Sequence, residues 1–372
     1  MQLRMDSERA DFARAVRKFA QNRPGYVLKD DRADELAGWN ELACQLGAFA
    51  ARLPEHVGGA DGTVFDWCLV ASELGRELSA GTFLSTAIAT EAILRLGSQQ
   101  QKATLLPTIA EGGARVTVAL SSFQTRPGVP LRLHFDGRVA KVSGTARAVI
   151  DPHRADGVIA LAQPGDGSAP QVVFIRPDAG TVRIGDAPPL DLTRPCADVS
   201  FDAAECQTLA PETGKSTDST DDVAAVYATA LVLLAADLVG VADRSLELAT
   251  EHSLARHQFG RPVGSFQAIK HRLAEVAIEN DLANAAVMYV ATAADDLSAS
   301  ELLSAARLAW AQSCEAANRA ASSAMQVFGG MGFTWEAPIH HYLRRARTSQ
   351  AIGERPAYAR RQAFAARGGV RE

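Results

Sequence analysis

Cysteine is scarce and scattered in this 372-residue sequence: Cys44, Cys68, Cys196, Cys206 and Cys314 are odd in number and include no C-x-x-C pair. That spacing excludes a disulfide framework and a thiolate zinc site, and it fits buried thiols in a reducing cytoplasm. No metal site is indicated. Clustered positive charge is missing too. Lysine and arginine are spread along a chain of formal net charge -5 and pI near 5.9, which argues against nucleic acid or an anionic membrane as main partner. The first 22 residues are charged and amphipathic, with no apolar h-region and no cleavage site, so secretion is not expected. Only residues 223–242 form a long apolar run. Asp237 interrupts it, alanine and glycine dilute it, and a charged turn follows, so the expectation is a buried helix and no membrane span. No internal repeat or low-complexity tract is visible.

What is present divides by period. Apolar residues at helical spacing predict helices over 7–21, 39–49, 64–78, 82–97 and 99–111. Between the second and third, Leu53-Pro54-Glu55-His56-Val57-Gly58-Gly59 reads as a loop held close to neighbouring backbone. From Ala114 the period shortens. Residues 116–120, 131–135, 139–142, 157–161, 171–175 and 197–201 are strand-like, and the turn residues between them suggest a compact antiparallel barrel or sandwich. Residues 211–220 read as an exposed connection, with Thr220, Asp221 and Asp222 as an N-cap and first-turn acids. Long Ala-rich helices are expected over 222–255, 270–296 and 300–327. The sum is an α+β multidomain chain: an N-terminal α-helical domain (1–113), a central antiparallel β-domain (114–210) and a C-terminal helical bundle domain (211–372).

One stretch carries chemistry. Arg256-His257-Gln258-Phe259-Gly260-Arg261-Pro262, followed by Ser265-Phe266-Gln267, packs a fixed cation, a Phe-Gly turn and side-chain amides between two long helices. A guanidinium fork suits bidentate phosphate contact. Gln267 and Gln326 offer donors and acceptors for a ribose or adenine, and Gly329 and Gly330 let backbone approach a ligand closely. Taken singly, each has a plainer reading: Arg256 as a helix C-terminal cation, the phenylalanines as core, the glycines as a helix stop. The joint pattern points to cofactor contact.

These motifs, with Gln326-Val327-Phe328-Gly329-Gly330-Met331-Gly332-Phe333, Leu343-Arg344-Arg345-Ala346-Arg347 and the weaker 53–59 and 96–102 stretches in order, resemble the acyl-CoA dehydrogenase family over nearly the whole chain. The resemblance implies an α-domain, a β-domain and a C-terminal four-helix bundle, assembled as dimers or tetramers. It also implies FAD shared across a subunit boundary: one subunit's β-domain and final loop meet the flavin ring, and the neighbour's Arg-Phe-Gly loop and Gly-Gly turn meet the pyrophosphate and adenine.

The half that would serve a neighbour is kept, as Arg256, Gln258, Phe259, Gly260, Gln267, Gln326, Gly329 and Gly330. The half that would serve this chain's own site is largely missing. Where the family usually shows Thr-Glu-Pro-Gly-Ala-Gly-Ser-Asp, this sequence has Ser121-Ser122-Phe123-Gln124-Thr125-Arg126-Pro127-Gly128, and where the family often has Trp-Ile-Thr-Asn it has Ala148-Val149-Ile150-Asp151. Desaturating an acyl thioester needs a carboxylate to take the α-proton. The two positions at which the family carries it are Gly353 and Ala230 here, and the residue after Ala230, often arginine, is Leu231. Asp222 and Asp237 lie about 12 and 10 Å along the helix from Ala230. Glu354 adjoins Gly353, either as a displaced base or, more plainly, as a solvent-facing acid beside Arg355.

The resemblance therefore suggests the partner subunit of heteromeric (α2β2) acyl-CoA dehydrogenases of the bacterial steroid-catabolic type. Such a subunit is inactive alone and lends its half of the FAD site to a paralogous catalytic chain, which would hold most of the acyl-CoA substrate, with an electron-transfer flavoprotein or similar acceptor. The alternatives are a self-sufficient homomeric dehydrogenase using Glu354 and a flavin-free structural or regulatory relative.

Overall fold

A computed structural model of the chain describes residues 5–25, 32–79, 83–124, 131–137, 139–178, 180–186, 188–210, 219–366 and 368. It opens with helices α1 (Ser7–Asn22), α2 (Arg32–Asn40), α3 (Val64–Arg76), α4 (Phe83–Leu96) and α5 (Gln99–Ala110). Local chemistry starts three of them. Asp6 accepts from the Arg9 amide, and Thr63 with Asp66 and Ser98 with Gln101 form capping boxes. The single helix expected over 39–49 is corrected: α2 runs into a π-helical turn, Glu41–Gln45, and Gly47 at φ +61° redirects the chain so that Phe49 enters the core separately.

The β-domain holds β1 (Val116–Val118), β2 (Leu131–Asp136), β3 (Val139–Ile150), β4 (Gly157–Pro164), β5 (Gln171–Ile175), β6 (Val182–Ile184) and β7 (Cys196–Thr208). Their order is β1-β4-β2-β3-β7-β5, with β6 on β7 and a β4 to β5 pairing that closes the sheet on itself. The expected purely antiparallel pairing is corrected to a mixed sheet. β1 and β2 share one edge of β4 end to end and both run parallel to it, Val116 opposite Gly157 and Leu131 opposite Ala162. Alternating inward residues, among them Leu133, Val142, Val158, Val173, Val199 and Phe201, give this domain a core of its own.

The C-terminal part holds α6 (Ser219–Ala255), a hairpin of β8 (His257–Gln258) and β9 (Arg261–Pro262), then α7 (Gln267–Ala293), α8 (Ala299–Phe328), α9 (Ile339–Ile352) and α10 (Pro356–Ala366). Helix α6 starts at Ser219, so Thr220 lies inside its first turn and does not cap it; the rest of the expected connection, 211–218, lies outside the described residues. Helices α6, α7, α8 and α10 form the bundle, with α9 laid against α6 and α8. Helix α6 is long and apolar enough to cross a membrane, but 89% of its apolar window is buried inside the protein.

Two glycines set how closely the domains approach. A Cβ on Gly240 of α6 would stand 2.0 Å from the Ser72 carbonyl of α3, and one on Gly75 of α3 would stand 2.3 Å from the Asp237 carbonyl of α6. The two helices therefore touch backbone to backbone, which any larger residue at either place would prevent.

A buried charge network then ties the β-domain to the C-terminal helices, and Arg345 also reaches the Leu78 carbonyl of the N-terminal part at 3.4 Å. Arg345 of α9 bonds Asp191 at 2.7 Å, Asp237 of α6 at 3.0 Å and the Thr193 hydroxyl at 2.7 Å, while Arg194 reaches Asp237 at 2.6 Å and the Ser349 hydroxyl at 2.7 Å. Burial pushes the Asp191 carboxyl up, but Arg345, Thr193 and Arg194 outweigh it and hold it below the usual carboxylate range. Two cations face two anions, the condition under which such a group tolerates desolvation.

Candidate functional site

Two surfaces matter, and they differ in kind. The first is an exposed end of the bundle. Arg256 follows the last residue of α6, and the turn Phe259-Gly260 joins β8 to β9 with φ +53° and +76°, the two positive values that a two-residue hairpin of this hand requires. Phe259 is 91% exposed. Its edge meets Phe266 at 6.2 Å, and the Arg261 guanidinium lies over the Phe266 ring at 4.0 Å. Arg261 is thus occupied by the hairpin. Arg256 is exposed and has no side-chain hydrogen bond or ion pair among the described residues.

Helix α8 ends beside this hairpin. His252 on the last turns of α6 stacks on Phe328 at 4.2 Å, which brings the Gly329-Gly330 turn next to Arg256. Burial and the nearby Arg256 both lower the His252 pKa, which favours the uncharged ring in this stack. Gly329 has φ +61°, and an added Cβ on Gly329 or Gly330 would meet nothing within 4 Å. Here the glycines make a backbone surface open to the outside. Gln267, the first residue of α7, Gln258 of β8 and Gln326 of α8 are exposed. Phe333 and Trp335 beyond the turn are 78% and 68% exposed, and Arg344 lies over the Trp335 ring at 5.6 Å.

The structure thus brings Arg256, Gln258, Phe259, Gly260, Gln267, Gln326, Gly329 and Gly330 to one end of the bundle. A free guanidinium, backbone without Cβ cover and exposed aromatic faces suit a phosphate joined to a planar ring.

The second surface is the chain's own cleft, between the β-domain and the end of α9, and it is not open in this way. After β1 comes a short turn, Leu120–Phe123, and residues 125–128 of the expected ligand-facing loop lie outside the described residues. The turn's hydroxyls are used internally: Ser122 Oγ accepts from the Leu161 amide at 2.8 Å and Ser121 Oγ from the Arg147 amide at 3.0 Å. Gln124 Nε2 donates to the carbonyl of Ile352 at 2.7 Å, across to the end of α9. Ala148, where an aromatic wall would stand, adopts φ +50° and donates its amide to Asp198.

Neither base position holds an acid. Ala230 and Leu231 are fully buried within α6. At Gly353 an added Cβ would stand 2.3 Å from Cζ2 of Trp310 on α8, so an indole fills the space a side chain there would take. Glu354 corrects the expectation of a solvent-facing acid. It is 1% exposed, both its oxygens accept from Arg307 of α8 at 3.1 and 3.0 Å, and its carbonyl accepts from Trp310 Nε1 at 2.8 Å. That clamp aims the carboxylate at α8 and away from the β-domain. The free-standing residues of the first surface fit a flavin nucleotide, whereas the described residues of this cleft do not fit its ring.

The contacts of Gln124, Arg307 and Trp310, which tie residues 352 and 354 in place, were not foreseen from the sequence. These residues carry no local motif, and their partners are 228, 47 and 44 positions away.

A helical domain, a small closed β-domain and a long-helix bundle with a nucleotide-suited end define a three-domain fold of the flavoprotein dehydrogenase kind. The acyl-CoA dehydrogenase N-terminal domain matches residues 6–113 and the acyl-CoA dehydrogenase C-terminal domain residues 230–354. The chain belongs to the acyl-CoA dehydrogenase family. It is 31% identical over 330 residues to acyl-CoA dehydrogenase IpdE2 of Mycobacterium tuberculosis, covering 89% of this chain and 86% of that protein. Its structure is similar to a Tcur3481-Tcur3483 steroid ACAD G363A variant, at a TM-score of 0.84 and 25% identity over 97% of this chain and 98% of the other. It also shares its fold with a chain of the ChsE4-ChsE5 complex from Mycobacterium tuberculosis, at a TM-score of 0.85 and 22% identity over 100% of both chains.

Proposed function

We propose that this chain is the non-catalytic subunit of a heteromeric acyl-CoA dehydrogenase, a cytoplasmic heterotetramer in which it completes the FAD site of a paralogous partner. The observation that carries this reading is the contrast between its two surfaces: an open, uncommitted end around Arg256 and a closed cleft at Gly353. Arg256 would hold the pyrophosphate, the Gly329-Gly330 turn would let the nucleotide lie against backbone, and Gln258, Gln267 and Gln326 would bond its polar edges.

When bound, the flavin supplies the acceptor for a hydride from the β-carbon of the acyl group. The α-proton must go to a carboxylate, and because Ala230 and Gly353 provide none, that carboxylate belongs to the partner. The similarity to the Tcur3481-Tcur3483 steroid ACAD supports a two-component assembly and a steroid acyl-CoA as substrate, and the ChsE4-ChsE5 complex shows the same fold in a two-component assembly. An electron-transfer flavoprotein or similar carrier would reoxidise the complex. A homomeric enzyme using Glu354 is disfavoured by the Arg307 clamp on that acid.

Co-purification with a family member that carries both the Thr-Glu-Pro-Gly loop and a base glutamate tests the reading. The complex should hold FAD and reduce a dye with an acyl-CoA, and the lone chain should do neither. A complex without FAD overturns the proposal.

A further inference from the structure

Loss of a few residues would leave the chain's own cleft empty, but this cleft is bridged. Gln124 lies at the end of the turn that follows β1, and Ile352 is the last residue of α9, immediately before Gly353. Their hydrogen bond, Gln124 Nε2 to the Ile352 carbonyl at 2.7 Å, joins the two walls that a ring and a thioester would have to separate. Two stacked layers between such walls make three contacts at the usual carbon separation of about 3.5 Å, so the walls would have to stand about 10 Å apart. The far wall is fixed from behind as well, because Trp310 and Arg307 hold the carbonyl and the carboxylate of Glu354.

We infer that Gln124 is a latch, an internal contact that keeps this chain's own cleft shut against a flavin ring and makes the β-domain and the end of α9 move as one body. The inference rests on the reading that this chain serves a partner's cofactor, and it adds which residue leaves the assembly with one cleft per pair. Gln124 is well suited to this. Its amide donates to a helix-terminal carbonyl that would otherwise lack a partner at the C-terminus of α9. A carboxylate of the same shape has no hydrogen to donate, so Gln124→Glu removes the bond while keeping the bulk.

Hydrogen exchange measured on the full complex tests the latch. In Gln124→Ala and Gln124→Glu alike, amides of 349–354 should exchange about fivefold faster than in wild type, the factor corresponding to one net hydrogen bond. Free lumiflavin, the ring without its adenine arm, should be quenched on addition to either variant in excess over wild type. Equal exchange in all three proteins, exchange raised by Ala but not by Glu, or equal lumiflavin quenching overturns the latch. FAD content of the wild-type complex reports on the partner-subunit reading separately, since the latch can fail while that content stays at one per pair.

Discussion

Gly353 and Trp310 exclude each other's alternatives: a Cβ at residue 353 would stand 2.3 Å from the indole, and the indole nitrogen donates to the next carbonyl, that of Glu354, at 2.8 Å. Gly353 is thus a packing requirement of this loop as well as a lost acid. Gly353→Glu is expected to lower stability by about 1–3 kcal/mol, as overpacking does. It should not produce dye reduction by the lone chain. Thermal unfolding and an acyl-CoA dye assay on the purified variant check both statements.

The clamp on Glu354 separates two accounts of that acid. Removing one partner of a buried ion pair costs about 3–5 kcal/mol, so Glu354→Gln and Arg307→Gln should each lower the denaturant midpoint strongly. Any activity lost by the complex should then follow the fraction unfolded. A displaced-base role predicts the reverse, a folded, FAD-replete complex with no turnover.

Much of this was legible in the sequence. The three-part order, the long helices and the exposed residues around Arg256 follow from local periodicity and from short motifs whose members lie close together in the chain. The closure of the cleft does not, because Gln124, Arg307 and Trp310 act through partners far along the sequence. Glu354 shows the same limit. Beside Arg355 it reads as a surface acid, and only the approach of α8 buries it. The mixed pairing of the sheet was hidden for a related reason: strand-like spacing fixes neither which edge a strand takes nor its direction.

Phe259 is a probe of assembly that spares the fold. At 91% exposure its removal costs the lone chain little, and Phe259→Ser should keep the unfolding free energy within about 0.5 kcal/mol of wild type. The same variant should weaken FAD retention or association in the complex. Paired thermal unfolding and gel filtration of the two forms read this out.

Two groups give the stability opposite pH slopes. Burial, His340 and Arg344 lower the His341 pKa from 6.5 to about 4, so the unfolded chain binds the extra proton first and stability falls as pH drops from about 6.5 to 4. Burial raises the Asp243 pKa from 3.8 to about 6, so the folded chain holds that proton longer and stability falls as pH rises from about 4 to 6. His341→Phe should therefore make the protein relatively more stable at pH 5 than at pH 7 when compared with wild type. Denaturant midpoints at the two pH values provide the check.

Arg256 should matter only where a phosphate reaches it. Its loss removes a charge-assisted contact of about 1.5–3 kcal/mol, so Arg256→Ala should weaken FAD binding by the complex about 10- to 100-fold and leave the fold of the lone chain unchanged. Arg256→Lys should recover part of it, since an ammonium keeps the charge and loses the fork. Equal FAD content in mutant and wild-type complexes removes Arg256 from the site.

The most direct test of the account is the flavin count. FAD released from the purified complex, measured by absorbance against subunit concentration, should come to one per pair of unlike subunits, with the lone chain colourless and inactive toward acyl-CoA. A lone chain that is FAD-replete and turns over acyl-CoA would contradict it.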